Sequence, residues 1–257
     1  MCETCGCGST GHQILTGHSG GFRPVQENST ISLAGLSVAK EIRVAQDVLG
    51  SNDRLAAENR KLFNEKGILA LNLVGSPGSG KTTLIVKTIE ALAGEMAIYV
   101  IEGDQYGSFD SERIAATGTA VVQINTGNGC HLDASGVGQA IGRLEPAPGS
   151  LLIIENVGNL VCPALFDLGE HQRVVILSVT EGDDKPVKYA PMFHGSPVCV
   201  INKTDLLQYV GFDLAKAREN LHKINHHMHI VELSATTGEG LDPWLELIRQ
   251  GMKGLRE

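Results

Sequence analysis

Three groups of residues in this chain have the types and spacings that do chemistry. Gly75-Ser76-Pro77-Gly78-Ser79-Gly80-Lys81-Thr82, continued by Thr83, is a complete phosphate-binding loop. Its glycines let backbone N–H groups curl around phosphate oxygens, Lys81 reaches the β- and γ-phosphates, and the Thr82 hydroxyl holds Mg²⁺. Asn202-Lys203-Thr204-Asp205 is a guanine-reading string. The Asp205 carboxylate accepts two hydrogen bonds from guanine N1 and N2, which adenine cannot supply; Lys203 lays its stem along the base and Asn202 braces the loop. Together they predict a protein that binds and hydrolyses GTP. Six cysteines complete the set, and nucleotide chemistry alone has no use for them.

Other segments extend the nucleotide site. Ser234-Ala235-Thr236 follows the last apolar run and resembles a third guanine-contact segment, with the Ala235 amide facing the base oxygen. Glu155-Asn156-Val157-Gly158 fills the place of an Asp-x-x-Gly switch: Gly158 offers its amide to the γ-phosphate and Glu155 acts through the magnesium shell. Asp104, at the end of Ile101-Glu102-Gly103-Asp104, is placed to bind Mg²⁺ or orient water. Lys81, Asp104 and Glu155 are therefore the expected catalytic residues. Catalysis of this kind is electrostatic positioning of a phosphoryl group with water as nucleophile. With no arginine finger or switch glutamine in evidence, slow intrinsic turnover is expected.

The thiolates fall into two clusters and one outlier. Cys2, Cys5 and Cys7 form Cys-x-x-Cys-Gly-Cys, and three thiols so close can wrap one metal ion. A thioredoxin-type pair is disfavoured because no strand precedes it and no helix follows. A zinc knuckle lacks its fourth partner at standard spacing, unless the α-amine of Cys2 serves once Met1 is removed. One amine and three thiolates suit a planar Ni²⁺ site. Cys130 and His131 follow Asn125-Thr126-Gly127-Asn128-Gly129, and Cys162 follows the Glu155–Gly158 switch. Such a thiolate–imidazole set suits Zn²⁺ or Ni²⁺ and leaves a position for a partner's ligand. Singly, each is as well read as a buried cysteine or a loop histidine. Cys199 lies inside an apolar run and reads as a packed core thiol. His226, His227 and His229 read as a solvated turn, and His12 and His18 as weak accessories to metal capture.

The elements that position these groups are legible from alternation. Short apolar runs at 68–74, 97–101, 120–124, 150–155, 173–179, 197–201 and 229–233 read as buried strands. Helical stretches lie between them at 81–93, 108–117, 132–144, 213–224 and 241–253. This βαβ pattern predicts an α/β fold, three layers around a mainly parallel sheet of the P-loop NTPase type over residues 68–257. Residues 31–67 read as a helical lead-in of two pieces, one ending at Gly50 and one running from Ser51 or Asn52 to Gly67. Residues 1–30, rich in Gly, Ser, Thr and His, read as a mobile tail. The net charge of −8 over 257 residues excludes general nucleic-acid binding, since no excess of Lys and Arg neutralises phosphates. No apolar run approaches the roughly 18–20 residues of a membrane span. A polar N-terminus without a signal-peptide build predicts a cytoplasmic chain, whose cysteines serve as ligands or thiols rather than disulfides.

Taken together, Cys2/Cys5/Cys7, the loop at 75–82, Asn125–Asp133 with its Cys130-His131, Glu155–Pro163 with its Cys162, and Asn202–Asp205 resemble the hydrogenase nickel-incorporation GTPases, the HypB family, a branch of the SIMIBI class of P-loop proteins. The resemblance spans nearly the whole chain. It implies a GTP-dependent homodimer that delivers Ni²⁺ to the precursor of a [NiFe]-hydrogenase large subunit. A tight N-terminal nickel site and a weaker nickel or zinc site at the G domain are also implied, with a HypA partner and in some organisms a SlyD chaperone. Some members carry a long His-rich tract; here only His12 and His18 stand in its place, so bulk nickel storage is not expected. A urease-type nickel GTPase is the nearest rival, but its motif is Cys-Pro-His whereas Cys130 adjoins His131 directly. A nickel- or zinc-buffering protein with incidental GTPase activity is a second rival. A small-molecule P-loop kinase is a third, and it conflicts with Asn202–Asp205.

Overall fold

Strands buried on both faces cannot alternate polar with apolar, so unbroken aliphatic runs pair in parallel and are covered by helices. The computed structural model describes residues 13–16, 23–25, 38–105 and 107–255, with side chains from Asp47 onward. In chain order the elements are β1 (Gln13–Thr16), β2 (Arg23–Val25), α1 (Val38–Lys66), β3 (Leu69–Gly75), α2 (Lys81–Leu92), β4 (Ile98–Asp104), α3 (Phe109–Ala115), β5 (Ala120–Asn125), α4 (Ala134–Leu144), β6 (Leu151–Glu155), β7 (Gln172–Ser178), α5 (Lys185–Lys188), α6 (Ala190–His194), β8 (Val198–Asn202), α7 (Leu214–Ile224), β9 (His229–Glu232) and α8 (Leu241–Gly254). The seven predicted strands are all present and pair in parallel.

The sheet order is β2-β1-β5-β4-β6-β3-β7-β8-β9. The strand feeding the phosphate loop, β3, lies between β6 and β7, and β6 pairs with β4 on its far side. Gly75, Glu155 and Asp104 thus all arrive at the carboxyl edge, where open α/β sheets take their ligands. Leu69, Leu71 and Leu73 point to the face covered by α2, α3 and α8, where Leu84, Ile85, Trp244 and Ile248 close the core. Ala70 and Val74 point to the other face. There α1 and α4 contribute Phe63, Val137 and Ile141, and α6 and α7 contribute Met192, Phe193 and Leu221. This is the predicted three-layer architecture.

Two expectations for the N-terminal part are corrected. The lead-in is one helix through Gly50, Ser51 and Asn52, ending at Gly67 with φ +61°. Gly50 and Asn52 look locally like a stop and a start, but Asn52 spends its side chain on tertiary partners instead of capping. That packing outweighs the roughly 1 kcal/mol cost of a mid-helix glycine. Within the stretch read as tail, β1 pairs antiparallel with β5 (Gln13 opposite Asn125, Thr16 opposite Val122) and β2 closes a hairpin on it. Pro24 sits in the outermost strand, the one place in a sheet where its missing N–H is tolerated. Cys2, Cys5, Cys7, His12 and His18 lie outside the described residues.

Candidate nucleotide site and thiolate cluster

The phosphate loop runs from β3 straight into α2. Gly80 adopts φ +96° in a place where a Cβ would collide with the Asn202 amide, so only glycine passes there. Asn202 is the brace expected of it. Its Nδ2 donates to Ser79 O (2.9 Å), and its Oδ1 accepts from Lys203 N (2.8 Å) and Ala235 N (3.0 Å). One side chain thus ties the phosphate loop, the guanine string and the third guanine segment together. Lys203 Nζ reaches Gly78 O at 2.7 Å, stretching its stem across the loop. Buried Lys81 donates to Ser76 O at 3.4 Å. Ser79 Oγ and Asp205 Oδ1 are buried with no hydrogen-bond partner among the described residues. Buried polar groups rarely stay unpaired, so these two atoms fit contacts to a bound nucleotide.

Thr82 Oγ1 donates to Glu155 Oε1 at 2.8 Å, leaving Glu155 Oε2 without a partner among the described residues. Burial pushes Glu155 up to about 7, against the pull of Lys81 and the Thr82 hydroxyl. Glu102, opposite Glu155 on the neighbouring strand, is pushed up to about 9 by burial first and then by Glu155, Asp104 and Asp110. So dense a set of carboxyl oxygens around Thr82 and Lys81 fits a divalent cation, which would restore the anionic forms. Glu102 escaped the sequence reading. Its signal was a carboxylate directly after the apolar run at 97–101, two residues before Asp104. Lys185 was also missed: its Nζ donates to Ser76 Oγ at 2.9 Å and lies 3.4 Å from Glu181 Oε2. Nothing local in Asp183-Asp184-Lys185 marks it.

The structure brings Cys130, His131 and Cys162 together, although Cys162 is remote from the other two in sequence. Their ligand atoms all lie within 4.8 Å of one another. Cys130 Sγ is 2.7 Å from Cys162 Sγ and 3.8 Å from His131 Nδ1. Two sulfurs on one tetrahedral ion with bonds of about 2.3 Å sit roughly 3.8 Å apart, so the pair must open by about 1 Å to share an ion. The donors are soft, half-buried thiols and a buried imidazole, a set that fits Zn²⁺ or Ni²⁺. The His131 ring stacks on Phe166, centroids 3.8 Å apart. Cys199 is a core thiol as expected, fully buried and with its proton held tightly by desolvation. His226, His227 and His229 are exposed.

Short bonds connect the two sites. The Asp104 carbonyl accepts from Thr126 N at 2.9 Å, at the start of the loop that carries Cys130. Gln105 Nε2 reaches Gly129 O at 3.3 Å. From the other side, Asn156 Oδ1 accepts from Leu132 N (3.2 Å), next to His131, and Asn159 Nδ2 donates to Cys130 O (3.4 Å). Gly158 presses on Pro77 of the phosphate loop so closely that a Cβ would lie 2.9 Å from the Pro77 backbone.

Fold and site define a P-loop nucleotide-binding protein that carries a soft-ligand cluster beside its nucleotide pocket. A family model described as CobW/HypB/UreG, nucleotide-binding domain, matches residues 69–232. The hydrogenase maturation factor HypB of Azotobacter vinelandii is 53% identical over 216 residues, 84% of this chain and 71% of that one. HypB from Archaeoglobus fulgidus superposes with a TM-score of 0.74 at 41% identity, over 79% of this chain and 99% of that one. HypB from Helicobacter pylori, solved in complex with nickel, superposes with 0.74 at 34% identity, over 79% and 96%. The chain belongs to the HypB family of hydrogenase maturation factors. Among the described residues no helix is long and apolar enough to cross a membrane.

Proposed function

We propose that this protein is a GTP-hydrolysing nickel metallochaperone of the cytoplasm that delivers Ni²⁺ to a [NiFe]-hydrogenase large-subunit precursor, with nucleotide state coupled to metal binding. The observation that carries the reading is adjacency. Asp104 and Asn156, at the phosphate end, hydrogen-bond directly to the loop that presents Cys130 and His131.

In this reading Asp205, left unpaired among the described residues, reads guanine and the Lys203 stem lines the base, while the Ala235 amide, expected to face the base oxygen, instead donates to Asn202 Oδ1 and braces the loops. Gly75–Thr83 and Gly158 hold the phosphates, with Ser234 and Thr236 bracing the base loop. Thr82 and Asp104, with Glu155 behind the Thr82 hydroxyl, would hold Mg²⁺, which would supply charge neutralisation at the phosphates. Lys81 shares that work from its buried position. A shift of Asp104 on hydrolysis is passed through the Thr126 amide to the loop bearing Cys130 and His131, and a shift of the Gly158 segment reaches that loop through the Asn156–Leu132 bond and Cys162 along the chain. Such coupling is reciprocal: whatever nucleotide does to nickel affinity, nickel does to nucleotide affinity.

Cys2, Cys5 and Cys7 are assigned to a second, tighter nickel site. The chain enters β1 at Gln13, opposite Asn125 and so close to the Cys130 loop. A homodimer, a HypA-type partner and, in some settings, a SlyD-type chaperone complete the proposed pathway, and zinc competes at the Cys130–His131–Cys162 set.

Titrating the full chain with Ni²⁺ under GTP and under GDP tests the reading. Different affinities are expected, with the difference abolished in Cys130→Ser/Cys162→Ser. Equal affinity in both nucleotide states sinks the coupling. Hydrolysis of ATP as fast as GTP sinks the guanine assignment.

A further inference from the structure

Among the described residues, helix α1 supplies none of the proposed nucleotide or metal contacts, yet two of its buried side chains grip both ligand-bearing segments at once. Asn52 and Asn59 stand two turns apart on one face of the helix, about 10 Å along the axis. They are 5% and 7% exposed. Asn52 Oδ1 accepts from Ala134 N (2.9 Å) while its Nδ2 donates to Asp167 O (2.8 Å). Asn59 Nδ2 donates both to Ala134 O (2.9 Å) and to Leu168 O (3.1 Å).

Each asparagine therefore joins the same two segments of the site. Ala134 opens α4 just after Cys130-His131, and its N–H is one of the helix-terminal donors that needs an outside partner. Asp167 and Leu168 end the segment that begins with Cys162. Just before them Phe166 stacks on the His131 ring, so the gripped segment also forms the wall behind the imidazole. The approach is close enough to demand glycine: a Cβ on Gly169 would lie 2.5 Å from Ala56 O and 2.8 Å from Asn59 Cβ. On the solvent side Arg60 adds a two-pronged ion pair to Asp167, at 2.7 and 2.8 Å.

We infer that Asn52 and Asn59 are positioning residues for the thiolate–imidazole site, fixing the spacing of the Cys130-His131 and Cys162 segments from outside the nucleotide domain proper. The inference rests on the proposed metal role of that cluster and adds a residue set to it. A helix that served packing alone would bury apolar side chains here, as it does with Phe63 one turn further on. Groups that orient metal ligands from behind typically change affinity by about 10–100-fold when removed.

The test uses the full chain with Cys2, Cys5 and Cys7 replaced by Ser, so that only the Cys130–His131–Cys162 site is read. Ni²⁺ and Co²⁺ are the probes. Asn52→Ala/Asn59→Ala is expected to lower nickel affinity by about 10–100-fold and to alter the sulfur-to-nickel charge-transfer band and the cobalt ligand-field spectrum, with GTP affinity unchanged. Asn59→Ala alone removes donors only from two carbonyl oxygens, the more easily tolerated loss, and decides the matter if the double variant does not fold. Affinity and spectra identical to the parent in a folded variant overturn the inference. If the parent itself takes up no nickel, or takes it up unchanged after Cys130→Ser/Cys162→Ser, the metal role fails and the inference falls with it. A parent that binds through those cysteines beside indifferent asparagine variants defeats the inference alone.

Discussion

On the face covered by α2, α3 and α8 the sheet meets Leu84, Ile85, Ile89, Trp244 and Ile248, a mostly aliphatic contact whose buried polar groups pair locally, Trp244 Nε1 with Thr88 Oγ1 and Ser111 Oγ with Gln123 Oε1. On the face covered by α1 and α4 the buried set near the carboxyl edge includes Asn52, Asn59, Asn72, Asn156 and Glu170. There Asn156 Nδ2 donates to Asn72 Oδ1 (3.2 Å), Asn72 Nδ2 to Glu170 Oε1 (3.1 Å), and Glu170 Oε2 accepts from Leu168 N (2.8 Å). Apolar packing is non-directional and tolerates small slips, whereas a buried amide must meet its partner at one distance and angle. The first face holds the domain together. The second sets where two loops stand relative to each other, which a site made of ligands from both loops requires.

Three experiments press on this contrast. The largest effect is expected from Ile248→Ala on the aliphatic face: a loss of about 2–5 kcal/mol of unfolding free energy, with nickel affinity of the folded protein unchanged. A clear change in nickel affinity there would blur the division between faces. Next comes Asn72→Leu, which strands Asn156 Nδ2 and one Glu170 contact in the interior. Denaturant melts should show a loss of about 1–3 kcal/mol. Here the difference in nickel affinity between GTP and GDP should shrink as well, and its full survival would count against the polar face as the carrier of coupling.

The smallest effect belongs to the exposed end of the α1 contact. Burial pushes the Asp167 carboxyl up, but the Arg60 hydrogen bonds, the Gly169 amide and the Arg60 charge outweigh it and hold it below the ordinary range. A depressed folded-state value stabilises the protein above the unfolded carboxylate range, and that contribution fades as pH falls through the folded value. Both partners are about 40% exposed, so solvent screening limits the pair to roughly 0–1 kcal/mol. Asp167→Asn should therefore melt slightly earlier than the parent near neutrality, and the gap should close below about pH 4. A gap that widens on acidification would contradict the assignment.

How much of this was legible beforehand differs by kind of residue. The phosphate loop and the guanine string are contiguous, because one loop must wrap one chemical group, and both stand where they were expected. The strands announced themselves by apolar runs. Cys130, His131 and Cys162 were suspected from their placement on adjoining loops, and their proximity bears out that placement. Glu102 was overlooked because an acid at the end of a strand has many bland explanations. Gly50-Ser51-Asn52 misled because its local signals for a break are real but weaker than the tertiary bonds Asn52 makes.

By itself the order of residues determined the strand and helix alternation, the phosphate and guanine loops and the family resemblance, since each depends on neighbours in the chain or on a short fixed spacing. Only the tertiary structure decided that α1 runs unbroken, that Asn52 and Asn59 hold Ala134, Asp167 and Leu168, and that Glu102 faces Glu155. The reason is physical: hydrogen bonds between groups 75 to 115 residues apart leave no periodicity to read, because their partners become neighbours only when the sheet has formed.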